Sequence, residues 1–145
     1  MKFTLESGSG ITIRSYGPGH VTVAVPPGTP GSSKSEGSPL QGLETITASC
    51  IVTPQRLYRD WPPERFEELQ RAHFEAVLAL DPELVLFGSG SRLRFPAPEL
   101  STTLTSRGIG MEVMDTPAAC RTFNILVAEG RNVAAALLMV ELEAG

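Results

Sequence analysis

The residue types able to do chemistry gather in the last third of the chain. Gly88-Ser89-Gly90 follows an apolar run, Leu84 to Phe87, and Asp115-Thr116 follows a second, Ile109 to Met114, with Cys120, Arg121 and Asn124 shortly after. If the two runs are neighbouring parallel strands, these positions gather at the carboxyl edge of one sheet, where α/β proteins bind ligands. Thr116 and Pro117 suit the start of a helix, whose unpaired N–H groups and partial positive charge favour an anion. The candidate pocket is therefore Gly88, Ser89, Gly90, Asp115, Thr116, Cys120, Arg121 and Asn124, and its chemistry would be capture of a small anionic metabolite. The favoured local reading is simpler: Asp115 and Thr116 cap the helix, and the glycines serve a tight turn.

Named catalytic motifs do not fit. In GSGSRL, Leu93 stands where a dinucleotide fingerprint needs its third glycine, and the phosphate-binding Gly-Lys-Ser/Thr is absent. Cys50 and Arg56 have the C-x5-R spacing of phosphatase loops, but Ile-Val-Thr-Pro-Gln between them continues a strand rather than bending round a phosphate. Cys120 lies four residues past Thr116, where the helix dipole's help to a thiolate fades, and it reads as a buried, inert thiol. His20 and His73 make no metal-ligand spacing with the two cysteines, so no metal or cofactor is expected. Glu112 reads as a carboxylate in a central apolar strand, which requires an arginine partner from Arg92, Arg94, Arg121 or Arg131.

Bulk properties bound the class. The 145 residues suit one domain, 1–145, with a core of its own. A net charge of −4, with the 12 Lys and Arg scattered, argues against a nucleic-acid surface. No apolar stretch approaches the roughly 18 residues of a membrane span, and MKFTLESGSG lacks the apolar segment of a secretory signal. The expected location is cytoplasmic, with Cys50 and Cys120 as free thiols.

Elements must then position the site. Phe3–Leu5, Ile11–Tyr16 and Val21–Val25 read as short strands of an antiparallel piece, the last alternating Val21, Val23 and Val25 with polar or small residues. The Gly-, Pro- and Ser-rich stretch 26–42 reads as a flexible loop. Thr45–Thr53 is β-branched and reads as one strand. Phe66, Leu69, His73, Ala76, Val77 and Leu80 recur at helical spacing, which predicts a helix over Pro63–Leu80. Leu84–Phe87 is wholly apolar, as a strand covered on both faces should be. A helix from about Pro98 to Ser106, a strand Ile109–Met114, a helix Pro117–Glu129 closed by Gly130, and a strand Val133–Leu142 complete the chain. The fold class is a three-layer α/β domain with a mixed, partly parallel sheet. Strands Thr45–Thr53, Leu84–Phe87, Ile109–Met114 and Val133–Leu142 are expected to share that sheet.

At GIGMEVMDTPAACRTFNILVAEGRNVAAALL, and back through FGSGSRLRFP to Ile51-Val52-Thr53-Pro54, the chain resembles a small α/β domain family of largely unknown function. Its members include the mitochondrial complex I assembly factor 3 and an adipogenesis-associated protein. The resemblance covers about two-thirds of the chain, with MDTPAACRTFN its most specific block. Ser89 stands where the family's turn usually has Thr, and the 26–42 loop is longer than usual. The resemblance implies a three-layer fold and an accessory or assembly role through an unidentified protein partner, and brings no catalytic residues. The leading expectation is thus a non-enzymatic protein working through protein contacts. The alternative is a binding protein or enzyme for a small anion at the sheet edge.

Overall fold

Strands covered on both faces have no reason to alternate, and two such runs form the middle of the principal sheet. The computed structural model describes residues 10–26 and 42–141. Within them β1 (Thr12–Gly17), β2 (His20–Ala24) and β3 (Leu43–Ile46) make one antiparallel sheet in that order. The second sheet has the order β5-β4-β8-β6-β7, built from β4 (Cys50–Val52), β5 (Leu57–Tyr58), β6 (Leu84–Gly88), β7 (Gly110–Met114) and β8 (Val133–Leu137). β6 runs parallel to both β7 and β8, while β4 is antiparallel to β8 and to β5. The fold is α/β with a mixed sheet, and Leu84–Phe87 and Ile109–Met114 share that sheet as expected.

The strand period of two divides the core. Val133, Ala135 and Leu137 of β8 and Leu86 of β6 face one way, into a cluster with Ala119, Cys120 and Phe123 of α3 (Thr116–Ala128) and with Ile13, Val21 and Val23 of the smaller sheet. Ala134 and Ala136 of β8 and Val85 and Phe87 of β6 face the other way. There they meet Phe74 and Val77 of α1 (Arg71–Leu78), Leu104 of α2 (Pro98–Thr105), and Trp61 from the segment before α1. The alanines of β8 leave room for the rings opposite: Phe74 and Phe87 meet edge-on at 5.7 Å, and Trp61 meets both.

Several expected boundaries change. Thr45–Thr53 is two strands in two sheets, because Ile46 pairs with Val21 while Cys50 pairs with Leu137, and exposed Thr47 and Ala48 carry the crossing. The expected helix Pro63–Leu80 is a 3-10 turn at Phe66–Glu68 followed by α1. Leu69 and Gln70 are extended between them, and the Nδ1 of His73 accepts the Gln70 N–H at 3.0 Å to start the new helix. Val133–Leu142 stops as a strand at Leu137. Val140 then turns to the N-terminal hairpin and accepts the Gly19 N–H. β7 is an edge strand, not a central one, so Glu112 is exposed and joins none of the ion pairs among the described residues. The expected strand Phe3–Leu5, and all of the 26–42 loop but its two ends, lie outside the described residues.

Candidate functional site

Parallel register brings the carboxyl ends of β6, β7 and β8 together, with Gly88 beside Met114 on one side and Leu137 on the other. Thr116 ties those ends. Its buried hydroxyl donates to the carbonyl of Leu138 at 2.7 Å and accepts the N–H of Gly90 at 2.9 Å, while its own N–H reaches the carbonyl of Gly90 at 2.9 Å. The fit explains Gly88: a methyl there would come within 2.8 Å of the Thr116 Oγ1 and 2.9 Å of Leu137 Cδ2. Gly90, at φ +104°, takes a backbone conformation that side chains resist. Asp115, rather than Thr116, is the cap of α3, its carboxylate accepting the Ala118 N–H at 2.8 Å. Pro117 therefore stands second in the helix, where its missing N–H costs nothing.

Ser89 is fully buried and holds the loop that follows. Its hydroxyl lies 2.7 Å from the Arg92 carbonyl and 3.2 Å from that of Met114, and accepts the Arg94 N–H at 3.1 Å. The structure thus gathers Gly88, Ser89, Gly90, Asp115 and Thr116 in one hydrogen-bonded corner. It takes the other three candidates elsewhere. Arg121 is exposed and donates to the Tyr16 hydroxyl at 2.9 Å, and Asn124 clasps both the N–H and the carbonyl of Ile13 at 2.8 Å, so this flank of α3 is occupied by β1. Cys120 lies in the core with Cys50, and both thiols are free. Burial pushes each of them up to about 12, Cys50 being raised further by its neighbour and Cys120 eased slightly by Arg121.

Three residues outside the expected set complete the edge. Glu141 sets one carboxylate oxygen 2.9 Å from the Ser91 N–H and 2.6 Å from the Ser91 hydroxyl, and offers the other to Arg94 Nη2 at 3.2 Å. Partial burial alone would raise the pKa of this carboxyl, but the hydrogen bonds from Ser91 and the charge of Arg94 outweigh it and hold the group below its ordinary value. Arg94 also reaches Glu67 at 3.3 Å and lies over the Phe66 ring at 4.6 Å. Beside it in the chain, Leu93 and Phe95 are 51% and 68% exposed. The available signal was the alternation of basic and apolar residues in Arg92-Leu93-Arg94-Phe95.

Chemically, the corner's buried hydroxyls, those of Ser89 and Thr116, are committed to the chain's own backbone, and Arg94 beside it already holds the carboxylates of Glu67 and Glu141. Among the described residues no group of three or more His, Cys, Asp or Glu side chains is placed to hold a metal ion, and no helix is long and apolar enough to cross a membrane.

The family model described as "Protein of unknown function (DUF498/DUF598)" matches residues 13–138. The chain is 35% identical over 95 residues to the NADH dehydrogenase [ubiquinone] 1 alpha subcomplex assembly factor 3 of Bos taurus, covering 64% of this chain and 51% of that protein. It spans about half the length of the curated relatives it matches. A crystal structure of a Bordetella parapertussis protein superimposes with a TM-score of 0.73 at 30% identity, over 92% of this chain and 99% of that one. A structure titled as an outer membrane protein from Bartonella henselae does so at 0.69 and 28%, over 94% and 100%.

Proposed function

The chain belongs to the DUF498/DUF598 family of proteins of unknown function, and from that premise we propose a non-enzymatic accessory or assembly-type protein that acts through protein contacts. One observation carries the reading. Leu93 and Phe95 stand exposed on a loop whose backbone is pinned by the buried Ser89 hydroxyl, so a large apolar pair is held out rather than left loose. Ordering such a loop before binding lowers the entropic cost of association, and a few large side chains, aromatic ones and arginines foremost, carry most of the energy of protein interfaces. The assembly role named for the Bos taurus relative supports the same class. The buried hydroxyls of Ser89 and Thr116 serve the chain's own backbone rather than a small substrate. We place the protein in a reducing, cytoplasmic compartment, a location the two free buried thiols favour.

The test is capture from the native cell with tagged wild-type protein and a Leu93→Ser/Phe95→Ser variant. Both side chains are largely exposed, so the variant should melt within about 2 °C of wild type, surface changes costing roughly 0.5 kcal/mol or less. The expected result is a reproducible partner with wild type and at least tenfold less of it with the variant. Equal recovery by both proteins, or wild type recovered alone, overturns the proposal.

A further inference from the structure

The Ser91–Arg94–Glu141 contact is built like a recognition site that the chain occupies with its own side chain. We propose that the loop Ser91 to Phe95 is a receptor for an acidic peptide segment of a partner: a partner carboxylate replaces that of Glu141 against Ser91 and Arg94, and its apolar neighbours pack on Leu93 and Phe95. The inference rests on the protein-contact reading above and names the chemistry of the partner.

Four observations carry it. The donors form a set suited to one carboxylate, with the Ser91 N–H and hydroxyl on one oxygen and a guanidinium nitrogen on the other. The guanidinium is fixed in advance by the Phe66 ring and Glu67, and its side chain is only 22% exposed. Backbone forms the floor of the cradle, since a side chain at residue 90 would meet a Glu141 oxygen at 2.9 Å. Finally, the Glu141 side chain is half exposed while Leu138, three residues before it, is anchored separately through Thr116 and Gly88. The carboxylate can therefore leave without disturbing the core.

Charge selects the occupant. Arg94 already serves Glu67, so one arriving carboxylate in place of Glu141 preserves the balance, whereas a doubly charged phosphate would add repulsion from Glu67. Apolar contact is needed as well, because a half-exposed ion pair alone contributes little. The exposed Leu93 and Phe95 flank Arg94 on the same loop and supply it. The chain's own Val140-Glu141-Leu142 gives the pattern to expect, an acid between apolar residues.

The probe is an end-blocked, fluorescein-labelled hexapeptide, Leu-Met-Val-Glu-Leu-Glu, copied from residues 138–143, and the same peptide with glutamine at its fourth position. Binding is followed by anisotropy and by the Ser91 amide resonance, on wild type and on Glu141→Ala, with acetate as a small carboxylate control. The glutamate peptide should bind Glu141→Ala at least tenfold more tightly than wild type, and at least tenfold more tightly than the glutamine peptide does. Arg94→Gln added to Glu141→Ala should remove that preference. Wild type, which needs no substitution to fold, should show the same preference at higher peptide concentration. Equal binding of the two peptides, no binding by either protein, or acetate moving the Ser91 resonance at the same concentration as the peptide would each overturn the proposal. A failure here alongside loop-dependent partner capture removes the acidic-peptide inference alone. Partner capture that ignores Leu93 and Phe95 removes the broader reading instead.

Discussion

Replacing Thr116 by valine keeps the shape of the side chain and deletes its two hydrogen bonds. The substitution strands the N–H of Gly90 and the carbonyl of Leu138, which the hydroxyl serves at 2.9 and 2.7 Å in a corner where Thr116 itself is wholly buried. A buried group left unsatisfied costs about 1–3 kcal/mol, the N–H more than the carbonyl, whose second lone pair is often left unused in proteins. The expected loss is about 3 kcal/mol. On a chain of this size that lowers the melting temperature by roughly 6–12 °C. Thr116→Ser keeps both bonds and loses one methyl, for about 1 kcal/mol. The ordering is diagnostic: a residue that merely capped α3 would cost about 1 kcal/mol on losing its hydroxyl. Urea unfolding of wild type, Thr116→Ser and Thr116→Val, with m-values checked for equality, gives the comparison directly. A valine variant within 1 kcal/mol of wild type would refute the strand-end tie.

Two further outcomes follow from the same geometry. Arg121→Ala should leave the unfolding midpoint nearly unchanged, since it loses an exposed bond to Tyr16 and strands no buried carboxylate. Asn124→Ala should cost about 2 kcal/mol, since two backbone groups of Ile13 lose their partner; denaturant titration that reverses this order would refute the assignment. Cys50 and Cys120, with thiols pushed up to about 12, should resist a disulfide reagent at pH 8 in the folded state and react fully in urea. Because their folded values are raised, that contribution to stability is present below the unfolded thiol value near 9 and is lost as pH climbs toward 12. Stoichiometric native labelling at pH 8 would contradict the burial.

Signals carried by neighbouring residues were legible in the sequence, and those that depend on a distant partner were not. Leu84–Phe87 announced a strand covered on both faces because no polar residue interrupts it, and the two cores on either side of β6 show why. Thr116 and Pro117 marked the start of α3 through local capping chemistry, to within one residue, the cap itself being Asp115. Arg121 and Asn124, three residues apart on a helix, share a flank. What meets that flank is β1, and the Asn124 contact spans 111 residues of chain, which no local pattern encodes. The β-branched run Thr45–Thr53 hid a change of sheet for the same reason: each half is a good strand, and only their partners differ.

Glutamate in an apolar strand shows where such reasoning succeeds and fails. Burial of a carboxylate demands a cation and hydrogen bonds, so the sequence argued for an arginine partner to Glu112 among four named residues. The demand was sound, but its premise was a central strand. β7 lies at the sheet edge, where a charged side chain stays in water and discourages pairing with another chain. The partnership exists at Glu141 instead, beyond the end of β8, and its cation is Arg94, one of the four. Two features set Glu141 apart from Glu112: the chain leaves the sheet before reaching it, and a turn fixed by Ser89 brings the Ser91 donors to meet it. Both depend on how β6 and β8 end side by side. The chemistry of the contact was therefore readable from residue types, and its location only from topology.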